Sequence, residues 1–538
     1  MDSREHALKD HPGARVLFVD RDARVGKDWG EILKRHGIPL VAVACGNGSA
    51  LVEDARELTG TIRPHVIVMD LRLLEGGIDD RTGLDLLGEE PFVLSFGILH
   101  SAFLTPRITY DAVYKVSHRD VVAKPEAPER LIEAIMRVLK ESCAKYNDLI
   151  IHWPSAWNAE VIASVVAGQS DLPSHLVDDL LVRLFRTEKS ITLKTIGGAA
   201  ESPRESLAKR SAVVMEAWRE QQSPLVVKIA SRTRIEKELR AYYKHVQHYL
   251  GGNYYAQLHK CETWWELGGI SYSFLGGDLT QMRTLSSFYR DMKEGQDIGV
   301  PIQRFFDVAW RRHYENKRAI NSTLVKAYDN YLMVVERAGA LVKRGVLSDS
   351  EFSEEWWVLP TVGKITNPIQ WIARHERDSR WPWCKECVTH GDLHADNMLI
   401  DGPNAWVIDY ERCGYGHSMR DFVELEQDIL TRLMSVDDNE YALIVTSVVA
   451  AAQCSEGIEM GRRDMSHEGR KAIEVLKIIR ASAANVAGCR DMREYYWGLL
   501  MEAVMGGLLS ERESQRCVRN MYLAHRLCER LEHWPHLG

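Results

Sequence analysis

Long apolar runs are missing from this chain. Its most apolar stretches, such as Leu443 to Cys454, fall short of the roughly 18 residues that suggest a membrane span. The opening residues, MDSREHALKD, are charged where a secretory signal needs an apolar core. An excess of basic charge is also missing, since 68 Lys and Arg stand against 76 Asp and Glu, a formal net charge of −8. That balance excludes a dedicated nucleic-acid coat and a polybasic membrane binder, so neither nucleic acid nor membrane is expected as a partner. Cysteine is scarce and scattered, ten in 538 residues, as expected of a reduced cytoplasmic protein without a disulfide framework. There is no internal repeat and no low-complexity tract. What remains is 45% hydrophobic, which excludes general disorder, and long enough for three or four domains or lobes.

The first ordered pattern is an alternation of strands and helices. RVLFVD, from Arg15 to Asp20, is a short apolar run suited to a buried parallel strand. Val25 to His36 follows with helical character and stops at Gly37. VIVMD, ending at Asp70, reads as a second buried strand; a third run leads to Ser101, and Val121 to Lys124 is a fourth. Leu131, Ile132, Ile135, Val138 and Leu139 then fall at helical spacing. This alternation predicts an α/β doubly wound parallel sheet over residues 14–141, with ligands at the carboxyl ends of its strands. Those ends carry Asp20, Asp70, Ser101 and Lys124, with Asp22 just beyond the first. Neighbouring carboxylates repel one another unless a divalent cation such as Mg2+ sits among them. Ser101 and Lys124 have the chemistry to contact an oxyanion carried by Asp70.

VLFVDRD, VIVMDLRL and VVAKP together resemble a response-regulator receiver domain. The resemblance implies that Asp70 accepts phosphate from a histidine-kinase or phosphorelay donor. Its pocket would be Asp20, Asp22, Ser101 and Lys124, and a homodimer through the receiver is compatible with it. The sequence departs from the family at Arg21, because receivers usually carry two consecutive acids after the first strand.

Residues 142–178 read as a helical connector. From 179 to 278 the pattern changes to β-rich, with strands expected at 191–196, 212–218, 225–229 and 269–275 and a helix at 233–250. Residues 279–538 read as mostly helical, broken near 388–412 by a hairpin.

That hairpin carries the strongest signal, THGDLHADNMLIDGPNAWVIDYE, from Thr389 to Glu411. Asn397 to Ile400 and Ala405 to Ile408 are apolar, and Asp401-Gly402-Pro403-Asn404 between them is rich in turn formers. Pairing the two runs brings Asn397 and Asp409 to one end, with Asp392 on the loop entering the hairpin. An Asn and an Asp suit Mg2+ on a nucleoside triphosphate, and the remaining Asp has the chemistry to orient a hydroxyl and take its proton.

HGDLHADN and IDYE resemble the aminoglycoside and choline phosphotransferase branch of the kinase-like fold. The resemblance implies a bilobal α+β domain, with an N-lobe over 179–278 and a large helical C-lobe over 279–538. Asp392 would be the catalytic base, and Asn397 and Asp409 the metal ligands. Lys228 in PLVVKI would hold the phosphates of ATP or GTP, and Glu238 on the next helix would pair with it in preference to Glu236. Gly197 and Gly198 would begin the phosphate loop, and Asp421 would anchor the catalytic loop from below. More loosely, SYSFLGG and RDFVELE resemble the ternary-complex-associated subset of this superfamily. After Gly198 the glycine loop departs from the family and becomes long and polar.

Only Tyr410 to Arg420 separate Asp409 from Asp421, and no Ala-Pro-Glu follows. Protein kinases carry a longer activation segment there, so a small-molecule acceptor is expected. Cys384-Lys385-Glu386-Cys387, near His390 and His394, has metal-ligand spacing, but one pair beside a catalytic loop reads as coincidence. His390 reads as a packed loop histidine rather than a base. Two functions are therefore carried forward. One is a phosphotransferase regulated by a receiver; the other is a catalytically weak pseudokinase or scaffold, which Arg21 and the unusual glycine loop favour.

Overall fold

A computed structural model describes residues 13–38, 40–74, 79–115, 119–167, 172–196, 212–250, 255–273, 282–320, 322–329, 333–343, 347–359, 362–375, 384–454, 458, 465–511 and 514–534. The chain divides into two units, one from Met1–Thr195, Ala200–Glu236 and Leu258–Ser273, the other from Ile196–Ala199, Lys237–Gln257 and Phe274–Gly538.

In the first unit, β1 (Arg15–Asp20), β2 (Leu40–Cys45), β3 (Val66–Met69), β4 (Phe96–Ser101) and β5 (Arg119–Ala123) form a parallel sheet. Its order is β2-β1-β3-β4-β5. Side chains alternate across it: Leu17, Val19, Ile67 and Met69 join one core, and Val16, Phe18, Val66 and Val68 the other. Helices α1 (Ala23–Arg35), α2 (Gly48–Ile62) and α3 (Pro128–Ser142) accompany the sheet. The strand order reverses between β1 and β3, so their carboxyl ends flank a topological switch point, where Asp20 and Asp70 lie.

The same unit holds a second sheet, order β10-β11-β9-β8-β7-β6, from β6 (Ile150–His152), β7 (Ser190–Thr195), β8 (Ala212–Arg219), β9 (Gln222–Ser231), β10 (Gln257–Trp264) and β11 (Leu267–Ser273). Between β6 and β7 run α4 (Ala159–Ala167) and α5 (His175–Leu184), which share an apolar core with β7, β8 and β9. The segment expected to be a helical connector is therefore only partly helical. Ile150–His152 pairs parallel with β7, and α4 is buried in the core of this sheet.

A buried polar cluster joins the two sheets of this unit. Asp179 on α5 accepts from Arg15 Nη2 at 3.4 Å, His65 Nε2 at 2.9 Å and the Ala144 N–H at 2.9 Å. Arg15 begins β1, and His65 precedes β3. Strands that present Asp20 and Asp70 at one end thus hold Asp179 from the other. Burial pulls the His65 pKa down.

Helix α6 (Arg232–His245) follows β9, and from Lys237 it belongs to the second unit, whose helices include α7 (Arg420–Asp428), α8 (His467–Ser482), α9 (Met492–Leu508) and α10 (Gln515–Glu532). Nearly all of α9 is buried, around its whole circumference, which marks it as the central helix of this region. Arg480 on α8 donates to Glu426 on α7 at 2.7 and 3.1 Å in the interior. The expected hairpin is present: Met398–Asp401 pairs antiparallel with Asn404–Val407, around a turn at Gly402-Pro403. Lys385–Thr389, which leads into the loop from His390 to Asn397, pairs with Gly414–His417.

Among the described residues no helix is long and apolar enough to cross a membrane. One pair departs from the expectation of free cysteines, because Cys454 and Cys489 are joined as a disulfide, with Cα atoms 6.2 Å apart. The Gln453–Asp491 bridge brings the chain ends before and after this pair together.

Candidate active site

The loop from His390 to Asn397 is shaped by one face of α7. Asp421, Glu424 and Asp428 fall at i, i+3 and i+7, so their carboxylates line up along the helix. Asp421 accepts the N–H groups of His390 at 2.8 Å and Gly391 at 2.9 Å, and the Tyr314 hydroxyl at 2.8 Å. Glu424 accepts the Leu393 N–H at 2.7 Å, and Asp428 that of Ala395 at 2.9 Å. Arg420 donates to the Gly391 carbonyl and, at 2.8 Å, to Glu424. Burial alone would raise the Asp428 pKa, but Arg432, donating twice at 2.6 Å, holds it well below the usual carboxylate range. Gly391 is required: its φ is +76°, and a Cβ there would meet the Arg412 carbonyl at 2.6 Å.

His390 is buried, and its Nε2 donates to the Ile408 carbonyl at 3.0 Å, fixing the loop to the hairpin. Burial lowers its pKa, which suits a neutral packed histidine. Asn397 donates its amide to the Asp392 carbonyl at 2.9 Å, and the Ile408 N–H donates to the Asn397 carbonyl at 3.0 Å. Asp409 follows directly in a left-handed conformation, φ 68° and ψ 65°. Such strain costs on the order of 1–3 kcal/mol and is concentrated at functional sites. Asn397 and Asp409 thus reach the same end of the hairpin. The amide oxygen of one and the carboxylate of the other are hard donors that fit a divalent cation. Asp392 keeps a partly exposed side chain whose Oδ1 is 3.1 Å from Arg412 Nη1. The Arg412 pKa is raised, chiefly by Asp392.

Lys228 is buried at the centre of the second sheet, its backbone opposite Val214 on β8 and Ile270 on β11. Glu238 is buried on α6 and accepts the Tyr410 N–H at 3.3 Å, beside the metal-ligand candidate Asp409. Glu236 is held by Arg232 at 2.6 Å, so the two glutamates are separated in role. Gly197 and Gly198 lie outside the described residues.

At the parallel sheet, Lys124 Nζ lies 2.7 Å from Asp20 Oδ2 and 3.0 Å from Asp70 Oδ2. Burial works against the ammonium, but Asp20 and Asp70 outweigh it and raise the Lys124 pKa. Ser101 is buried at the end of β4, and its hydroxyl accepts the Phe103 N–H at 3.4 Å. Asp22 is the third acid expected in this pocket, and its N–H donates to Asp20 Oδ1 at 2.9 Å. It is the N-cap of α1, accepting the Arg24 N–H at 3.0 Å and the Arg24 guanidinium at 3.1 and 3.2 Å. Arg21, whose charge departs from the receiver pattern, is exposed.

Sequence reasoning found Asp421 but missed Glu424, Asp428 and Arg412. The first two stood in the sequence as acids three and seven residues after Asp421. Arg412 carried no sequence signal, because its role depends on how the turn after Asp409 folds back.

Residues 335–504 match the family described as Ternary complex associated domain 9, a span that includes the His390–Asn397 loop and α7. No curated protein matches the chain. Among solved structures, the chain is similar to a thermostable mutant of an aminoglycoside phosphotransferase in its apo form. The two share 10% identity over 59% of this chain and 91% of that one, with a TM-score of 0.34. A glucosamine kinase in complex with glucosamine, ADP and inorganic phosphate shares 12% identity over 65% of this chain and 80% of that one, with a TM-score of 0.33. A choline/ethanolamine kinase family protein from Mesorhizobium loti shares 12% over 63% and 92%, with a TM-score of 0.32.

Proposed function

We propose that the chain is a phosphotransferase that moves the γ-phosphate of ATP or GTP to a hydroxyl of a small molecule, under the control of its N-terminal parallel-sheet domain. The observation that carries this reading is the clamped loop. Three carboxylates on α7 hold the N–H groups of His390, Gly391, Leu393 and Ala395, and so fix Asp392 and Asn397 beside the hairpin that ends at Asp409. Asp392 would orient the acceptor hydroxyl and take its proton, with Arg412 holding Oδ1 and leaving Oδ2 to face the substrate. Lys228 would bind nucleotide phosphates, and Glu238 would orient it. Asn397 and Asp409 would hold Mg2+, which when bound supplies charge neutralisation on the phosphates. Arg412 is a positioning residue in this reading.

The N-terminal domain would act as a receiver in which Asp70 accepts phosphate. Its strand order, and the Lys124 contacts to Asp20 and Asp70, support that reading. The buried Arg15–Asp179–His65 cluster supports regulation through packing rather than through a loose tether. A small acyl-phosphate donor should label the wild-type chain in Mg2+ but not Asp70→Ala.

A scaffold remains the competing reading, favoured by the Arg21 departure. Melting of the full chain separates the two. ATP or GTP with Mg2+ at about 100 times its dissociation constant should stabilise the folded protein by roughly 2.7 kcal/mol. No shift at millimolar nucleotide would favour the scaffold.

A further inference from the structure

Three buried side chains from separate elements of the second unit meet outside the catalytic loop. Cys384 stands just before the Lys385–Thr389 strand, His417 ends the Gly414–His417 strand, and Glu494 lies in the first turn of α9. A ligand atom of each lies within 4.8 Å of the others. His417 Nε2 is 2.7 Å from Glu494 Oε1, and its Nδ1 is 2.9 Å from the Tyr328 hydroxyl. Among the described residues the ion-pair partner of Glu494 is His417, and the Lys317 ammonium, fixed on the Val486 and Ala487 carbonyls, acts on this carboxylate only from a longer range.

A thiol, an imidazole and a carboxylate form a donor set for a cation of borderline softness. In a tetrahedral zinc site neighbouring ligand atoms sit about 3.3–3.8 Å apart, a spacing bracketed here by the 2.7 Å His417–Glu494 contact and the 4.8 Å limit of the cluster. The outer contact fits as well. A metal-bound histidine usually donates its other ring N–H, and the Tyr328 hydroxyl is placed to accept from Nδ1 while Nε2 faces the cluster. Burial first, and Glu494 second, push the Cys384 pKa up, so the metal-free thiol keeps its proton.

His65, Cys143 and Asp179 also lie within 4.8 Å of one another, and the contrast is instructive. There Asp179 is bound by the Arg15 guanidinium and the Ala144 N–H, and His65 Nδ1 accepts the Arg15 N–H. A built-in cation occupies the place a metal would take. The Cys-x-x-Cys spacing noted in the sequence is not the relevant set either. Cys387 follows three residues later along a strand, which turns it to the other face, and His390 Nε2 is engaged by Ile408.

We propose that Cys384, His417 and Glu494 bind one divalent cation of zinc type, with water as the fourth ligand. Binding replaces the thiol proton with a sulfur–metal bond and releases that proton to solvent. The ion would tie the strand leading into the catalytic loop to the central helix α9.

The test uses the full chain, dialysed against Zn2+, then against metal-free buffer, and assayed for metal. Wild type, Cys387→Ser and Cys143→Ser should retain about one zinc per chain, while Cys384→Ser and His417→Gln should lose nearly all of it. Replacing zinc by Co2+ in the wild type should give a thiolate-to-cobalt charge-transfer band, which decides the matter even if a variant fails to fold. Wild type without bound zinc, cobalt protein without that band, or stoichiometric zinc in Cys384→Ser would each overturn the proposal.

Discussion

In the parallel-sheet pocket, Asp20 and Asp70 face one shared ammonium, at 2.7 and 3.0 Å from Lys124. In the second unit, Asp421, Glu424 and Asp428 face backbone N–H groups at 2.7–2.9 Å. The first arrangement is a charge balance on a flexible, partly exposed side chain, which a phosphoryl group or a cation is able to rearrange. The second is a fixed clamp, in which acids replace a missing network of backbone partners. The same residue type therefore serves a changeable site in one region and a preorganised site in the other.

The clamp should give the largest effect when broken. Asp421→Ala leaves the His390 and Gly391 N–H groups and the Tyr314 hydroxyl without their acceptor. At about 1–3 kcal/mol for each stranded buried donor, and with some relaxation, the loss should be roughly 3–5 kcal/mol. Urea unfolding of the second unit measures it; a loss below about 1 kcal/mol would mean the loop holds its shape without the clamp.

Lys124→Met should cost less, about 1–3 kcal/mol at neutral pH, because water reaches part of the pocket. The variant leaves two facing carboxylates, so its deficit should shrink as acid protonates them. A deficit that does not change with pH would argue that Lys124 contributes packing rather than charge.

A smaller effect concerns His100, held down to about 4 by burial first and Lys124 second. Between pH 6.5 and 4 the unfolded chain binds this proton and the folded chain does not, so stability should fall as pH drops through that window. His175 is held down to about 4 as well and shares the slope. His100→Phe should make the decline shallower in a series of melts; an unchanged slope would remove His100 from the account.

Asp22→Ala should give the smallest change, a slight drop in the unfolding midpoint from a lost helix cap. It should leave acyl-phosphate labelling of Asp70 unchanged. Lost labelling would show that Asp22 also serves the pocket.

Much of this was legible in sequence where chemistry and periodicity coincide. β1, β3 and the Met398–Val407 hairpin follow from apolar runs bounded by turn residues, and Asp392, Asn397 and Asp409 from their spacing. β2, LVAVAC, is as long as β1 and was passed over where it follows a proline. Gln257–Trp264 was missed because QLHKCETW is largely polar along a half-exposed strand. Ile150–His152 has only three residues, and its pairing with β7 is non-local. The capping role of Asp22 was not read, because sequence gives its position but not which backbone N–H its oxygens accept. The Cys384–His417–Glu494 cluster spans more than a hundred residues of sequence and becomes visible only when the Lys385–Thr389 and Gly414–His417 strands pair.

The central claim is that Asn397 and Asp409 form a cation-dependent nucleotide site beside the base Asp392. Titration calorimetry of the full chain with ATP and GTP, with Mg2+ and with chelator, tests it most directly. Wild type and Asp392→Ala should bind nucleotide with similar affinity in Mg2+, because in the proposed function Asp392 would act on the acceptor. Asp409→Ala and chelated wild type should lose at least tenfold, about 1.4 kcal/mol. Equal binding by wild type and Asp409→Ala, or no binding by any of them, would contradict the account.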